Sequence, residues 1–316
     1  MFVQNPAGIH TEQYYFKLAA ITPLQPVTAA IIEANSNMDL IRIDTEDKFP
    51  LNGLIWEPEK KGKSMVILVP GATTGAALVA MHDYYPMATA LTAAGYSFIV
   101  ANMRASYNYP YAIFADAVKD IAGFVAYAKA TGYARIAIVG ISLGGPRMAQ
   151  YMAERGDPSI KAVAFVASIP SPYLEFQIRS SRKDKTRLKN TLKRARQLVA
   201  QGKGLKPVAF ENWFPDGRHF MVTAQAMLGF FGAPEDGAPS SISYGALLRV
   251  PALVLHGDQD ELSLPPNAQT IYDSLTAAPQ RDLIWVKGAS HYLTPGKIAE
   301  SYARHLADWI TRRMPV

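Results

Sequence analysis

The sequence predicts an α/β protein: a doubly wound, mostly parallel eight-stranded sheet, helices on both faces, and a helical segment inserted between two strands. Three observations carry that prediction. Eight short apolar or β-branched runs are bounded by turn residues. Stretches rich in alanine and long side chains alternate with most of them, as a parallel sheet requires. One gap of roughly 80 residues breaks the alternation.

The strands are expected at 39–45, 51–57, 65–69, 97–101, 135–139, 162–167, 252–255 and 283–286. Helices are expected at 78–94, 111–131, 144–155, 267–277 and 297–312, with Gly95, Gly132 and Gly156 as C-terminal stops. The gap opens with Ile169-Pro170-Ser171-Pro172 and holds a basic helix and an aromatic stretch, 210–231, without convincing strand character. A structureless loop of that length is uncommon in a compact domain, so 170–246 reads as a mostly helical cap. That leaves 38–169 and 247–316 as the core and 1–37 as an N-terminal extension.

Composition narrows the class. With 49% hydrophobic and 18% charged residues over 316 positions, the chain is globular rather than disordered. It has no cysteine, which excludes disulfides, a thiol nucleophile and thiolate metal sites. The N-terminus lacks a basic segment followed by an apolar run, and nothing approaches the roughly 18 apolar residues of a spanning helix. A cytoplasmic protein with no export signal and no transmembrane segment is therefore expected. The net charge of +6 is unevenly spread: Ile178 to Lys206 holds eleven Lys or Arg against Asp184 alone, so the remainder sums to −4. Such a block can recruit acidic substrates, anionic headgroups or nucleic acid, although a solvated helix face is the simpler reading.

The chemistry centres on Gly140-Ile141-Ser142-Leu143-Gly144, where an apolar strand gives way to a helix. A sharp strand-to-helix turn holds a serine above the sheet edge, and the glycines permit close backbone approach. A serine nucleophile needs a base and an acid that orients the base. Of the six histidines, His291 follows the last strand in a small-residue loop, Gly288-Ala289-Ser290. His256 closes the preceding strand and reads as a packed residue, His305 and His82 fall on helices, and His219 in the cap reads as a substrate contact. In His256-Gly257-Asp258-Gln259-Asp260 the deeper carboxylate, Asp260, is favoured as the orienting acid, and Asp258 as a turn former. An oxyanion formed at Ser142 needs backbone donors. Leu143 supplies one amide at a helix start, and the loop after 65–69 supplies the second from Ala72, with Thr73 as second choice.

The order of the Gly71 loop, Ser142, Asp260 and His291 resembles the α/β-hydrolase superfamily over residues 38–316. The front half is similar to lysophospholipase and serine-aminopeptidase-like hydrolases through Gly53-Leu54-Ile55-Trp56-Glu57-Pro58, Tyr84-Tyr85-Pro86 and Ala94-Gly95-Tyr96. Where those relatives show Asp-x-Arg-Gly-x-Gly, this chain has Asn102-Met103-Arg104-Ala105-Ser106-Tyr107. The resemblance implies an α/β-hydrolase fold and a serine hydrolase of carboxylesterase or lysophospholipase type, acting on a small ester, anionic and lipid-like esters included. A peptidase, amidase or lactonase on the same residues is the alternative, and a non-catalytic binding protein on this fold a more distant one.

No cofactor, metal or nucleic acid is expected, peripheral membrane contact through the basic cap is compatible with the charge, and the sequence sets no oligomeric state. Arg104, Tyr107, Trp213 and His219 are the candidate substrate contacts. Tyr109, Tyr111, Phe114, Phe214 and Phe220 join them as candidate walls of an apolar pocket, with simple core packing as the other reading.

Overall fold

Five strands consist almost wholly of buried residues: β3 (Ser64–Val69), β4 (Ser97–Ala101), β5 (Arg135–Ile141), β6 (Ile160–Val166) and β9 (Ala252–Gly257). Strands covered on both faces need no polar alternation, which is why these read as continuous apolar runs. They form the centre of an eight-stranded sheet in the computed structural model, in the order β1-β2-β4-β3-β5-β6-β9-β10. β1 (Met38–Asp44) and β2 (Pro50–Trp56) complete one edge and β10 (Arg281–Val286) the other. β2 runs antiparallel to β4, whereas the pairings from β4 through β3, β5, β6 and β9 to β10 are parallel. The structure describes residues 37–71, 81–108, 110–210, 220–233, 236, 238, 240–291 and 296–316.

The two faces of the sheet are covered by different helices. Met65, Ile67, Val69, Ile136, Ile138 and Phe165 point into a core shared with α3 (Asp116–Ala130), α4 (Gly144–Arg155) and α9 (Pro265–Ser274). Their alternating neighbours, among them Val66, Leu68 and Val139, are equally buried. α1 (Met81–Ala93) and α10 (Lys297–Arg313) pack on each other, α1 against β4 and α10 against β6, β9 and β10. A short α2 (Arg104–Asn108) follows β4. Among the described residues, no helix is long and apolar enough to cross a membrane.

Between β6 and β9 the chain runs through α5 (Pro172–Arg179), α6 (Arg182–Ala200), β7 (Pro207–Phe210), β8 (Phe220–Thr223), α7 (Ala224–Phe231) and α8 (Ser241–Gly245). Ser171 and Ser181 cap α5 and α6, their hydroxyls accepting from Leu174 N at 3.1 Å and Asp184 N at 3.2 Å. The expectation that this stretch lacks strands needs correction, because β7 and β8 pair antiparallel into a two-stranded sheet. Each strand has only four residues, so the alternation of buried Val208 and Phe210 with exposed Pro207 and Ala209 is too short to register as a pattern. These elements share an apolar core of their own, including Phe176, Leu192, Phe210 and Phe230, and Leu143 reaches into it.

Candidate active site

Because β5, β6, β9 and β10 are parallel, their carboxyl ends share one edge of the sheet, where side chains from different strands converge. Ser142 stands there in the turn between β5 and α4 with φ at +52°. A non-glycine residue in that region is strained, and the surroundings hold it in place. Ser142 N donates to Val166 O at 3.0 Å, and Ser142 O accepts from Gly145 N at 3.1 Å and Ser168 Oγ at 3.0 Å. The turn also forces helix against strand. A Cβ at Gly140 would come 2.6 Å from Gly144 O, and one at Gly144 would run into the Val69 carbonyl.

The structure brings His291 and Asp260 to this serine. His291 Nε2 lies 3.0 Å from Ser142 Oγ, and its Nδ1 lies 3.0 and 2.9 Å from the two oxygens of Asp260. A carboxylate only accepts, so Nδ1 carries the proton and Nε2 turns its lone pair to the hydroxyl. Both side chains are buried. Asp260 is fixed by amides of its own loop, accepting from Leu262 N at 3.0 Å and Ser263 N at 2.6 Å.

The loops carrying the two residues are locked together. Gln259 N donates to Ala289 O at 3.1 Å, and Gly288 N donates to Asp258 Oδ1 at 2.6 Å. Asp258 thus ties one loop to the other, while Asp260 faces the imidazole. His256 is fully buried, with Nε2 2.8 Å from Ser263 O and 3.4 Å from Asp260 Oδ2. Burial lowers its pKa, so it braces this loop as a neutral ring. An array of hydroxyl, imidazole and carboxylate in this order can move a proton off the serine as it attacks an electrophilic carbon.

Residues 65–294 match the family described as the alpha/beta hydrolase fold. The chain belongs to the α/β-hydrolase family. By sequence it matches no curated protein. By structure it is similar to the esterase domain of a Rhodothermus marinus protein, with 15% identity, a TM-score of 0.60, and coverage of 87% of this chain and 98% of that one. It is also similar to Est1E from Butyrivibrio proteoclasticus, with 16% identity, a TM-score of 0.61, and coverage of 88% and 99%. A third similar structure is the α/β hydrolase GrgF from Penicillium sp. sh18, with 14% identity, a TM-score of 0.65, and coverage of 88% and 99%.

In this α/β hydrolase Gly71, two residues past β3, lies against the serine, since a Cβ there would come 3.2 Å from that of Ser142. Leu143 is the residue before α4, and among the described residues its amide donates to no backbone carbonyl. Ala72 and Thr73, the expected partners of that amide, lie outside the described residues, as do Trp213, His219, Tyr109 and Phe214. Tyr107 belongs to α2, its side chain beyond the description. Phe114 is core, packed edge-on against Phe230 with centroids 5.3 Å apart, and Tyr111 is exposed.

Arg104, expected as a substrate contact, is placed among carboxylates. Its guanidinium donates to Asp120 at 2.7 Å and to both oxygens of Asp47 at 2.9 Å, with Asp116 at 3.7 Å. Burial opposes its charge, but these three carboxylates more than offset that and raise its pKa. In return, its hydrogen bonds hold Asp47 well below the usual carboxylate range. Its charge is thus already balanced within the protein by these ion pairs.

Two charged residues near the serine escaped the sequence reading. Arg147, five residues along in α4, is 1% exposed and donates to Pro70 O at 3.2 Å and Gly71 O at 3.0 Å, while stacking over Phe114 and Phe230. It pins the loop that faces Ser142. Glu175 on α5 is 2% exposed and accepts from Asn267 Nδ2, with Arg179 Nε at 3.8 Å. Burial pushes its carboxyl up to about 7 against the pull of Arg179 and Asn267, and its field reaches Asp260 and His291. Among the described residues, no group of three or more His, Asp or Glu is arranged to hold a metal ion.

Proposed function

We propose that this chain is a serine hydrolase that cleaves carboxylic esters through an acyl-enzyme. The observation that carries this reading is the placement of His291, with one nitrogen 3.0 Å from Ser142 Oγ and the other 2.9 Å from Asp260. Ser142 Oγ attacks the ester carbonyl carbon as His291 Nε2 takes its proton. Asp260 holds the tautomer and stabilises the imidazolium that forms.

The carbonyl oxygen becomes an oxyanion that accepts from the Leu143 amide, with Ala72 as second donor ahead of Thr73. The carbon–oxygen bond to the alcohol breaks, and the alcohol leaves with the proton from His291. Water then attacks the acyl carbon, gives its proton to His291, and the acid departs as Ser142 recovers its proton. Residues 170–246 act as a cap over this site, through the core that takes in Leu143.

Support for an ester over an amide comes from the esterases among the similar folds, one of which, Est1E, is known with ferulic acid bound. The reading is tested by comparing p-nitrophenyl esters of several acyl lengths with aminoacyl anilides on wild type and Ser142→Ala. We expect turnover of esters, abolished by the substitution. Faster turnover of anilides would move the assignment to an amidase, and undiminished turnover by Ser142→Ala would remove the serine from the mechanism.

A further inference from the structure

Away from Ser142, α5 and α6 flank a solvent-open cavity of about 390 Å³ whose lining is set by helix spacing. Arg182, Lys185 and Lys189 stand three and four residues apart on α6, so they share one face, together with Thr186. Tyr173 and Gln177, four apart on α5, face them across the gap, and Leu192 and Ala233 form an apolar floor. None of the described residues lining it is acidic. At the far end Arg196 is engaged by Asp236 through a bidentate pair at 2.5 and 2.7 Å. That leaves the cations of Arg182, Lys185 and Lys189 gathered on one concave surface, an arrangement in which like charges repel until an anion joins them.

We infer that this cavity is a binding site for a phosphate-bearing ligand. Three cations are under-compensated by a single carboxylate, whereas a phosphoryl group brings up to two charges and three acceptor oxygens. An arginine fork, two mobile ammonium groups, and the hydroxyl and amide donors of Thr186, Tyr173 and Gln177 match such a group. The volume suits a small molecule. Control surfaces lie on the same helix, since Lys193 and Arg194 are exposed and do not line the cavity. The inference is independent of the chemistry at Ser142.

The source of the phosphate, a free metabolite or a lipid headgroup, is separated by two probes on the full chain. One is pyrophosphate followed by calorimetry. The other is sedimentation with phosphatidylcholine vesicles that carry phosphatidic acid. Lys185→Glu/Lys189→Glu is compared with Lys193→Glu/Arg194→Glu, which changes net charge equally, and Lys185→Gln/Lys189→Gln serves should charge reversal disturb folding. We expect saturable binding that falls about tenfold or more in both cavity variants and stays within about twofold of wild type in the control. Selective loss with pyrophosphate assigns a free ligand, and selective loss with vesicles alone assigns a headgroup. Equal loss in cavity and control variants, or no binding of either probe by wild type, would overturn the site.

Discussion

Asp260 is the residue whose chemistry is most exposed to a minimal change, because replacing one oxygen by an amide leaves its shape and reverses its hydrogen-bonding to His291. In Asp260→Asn the amide group can donate to Nδ1, favouring the tautomer with the proton on Nε2, which cannot take the proton of Ser142. We expect kcat on a p-nitrophenyl ester to fall by about 10⁴ with KM little changed. Glu175 makes a separate prediction about stability. Its carboxyl binds a proton in the folded chain up to about 7, whereas in the unfolded chain it has the ordinary value of 4.5. Between those values the folded state holds the extra proton, so stability falls as pH rises across the window, by at most about 3 kcal/mol. Glu175→Gln should flatten the pH dependence of Tm between pH 5 and 7, roughly that window. An unchanged slope would show that another group titrates there. Neither Arg147 nor Glu175 was legible in the sequence, since a charged residue on an amphipathic helix reads as solvent-facing until its neighbours in space are known. Ser142, Asp260 and His291 were legible because each sits at a strand end beside glycines that mark the turn.

At the scale of elements, the turn from β5 into α4 and the loop after β3 form one unit, joined by Arg147. Removing that guanidinium frees the carbonyls of Pro70 and Gly71, and with them the backbone that faces the serine. Arg147→Met is expected to lower kcat by about 10² or less, below the cost of losing one oxyanion donor outright, and to lower Tm. A fall in Tm with kcat preserved would confine Arg147 to a structural part. The central strands were legible as apolar runs, and Gly95, Gly132 and Gly156, all at positive φ, end helices or turns as read. Short elements were not. β7, β8 and α2 hold four or five residues each, and they exist through pairing and packing rather than through any pattern of their own.

For the whole molecule, the cluster of Asp47, Arg104, Asp116 and Asp120 joins the β1–β2 turn to α2 and α3. Its partners are 57 and 16 residues from Arg104, a distance that hides the pairing from sequence and left the arginine looking available. Asp120 is buried, and burial alone pushes its carboxyl upward. Arg104→Met would strand it and should cost about 3–5 kcal/mol in urea unfolding. The ratio of turnover between anionic and neutral esters should stay as in wild type, and a selective loss on anionic esters would return Arg104 to the substrate. The fold itself was legible at this scale because each level of the sequence agreed: strand runs, helix stops and the order of the reactive residues all described one sheet.

The central claim, that Ser142 is the nucleophile, is tested most directly by treating the protein with a fluorophosphonate and mapping the adduct by peptide mass spectrometry. One adduct on Ser142, lost in Ser142→Ala and slowed in His291→Ala, is the predicted result. An adduct on another residue, or none on folded wild type, would contradict it.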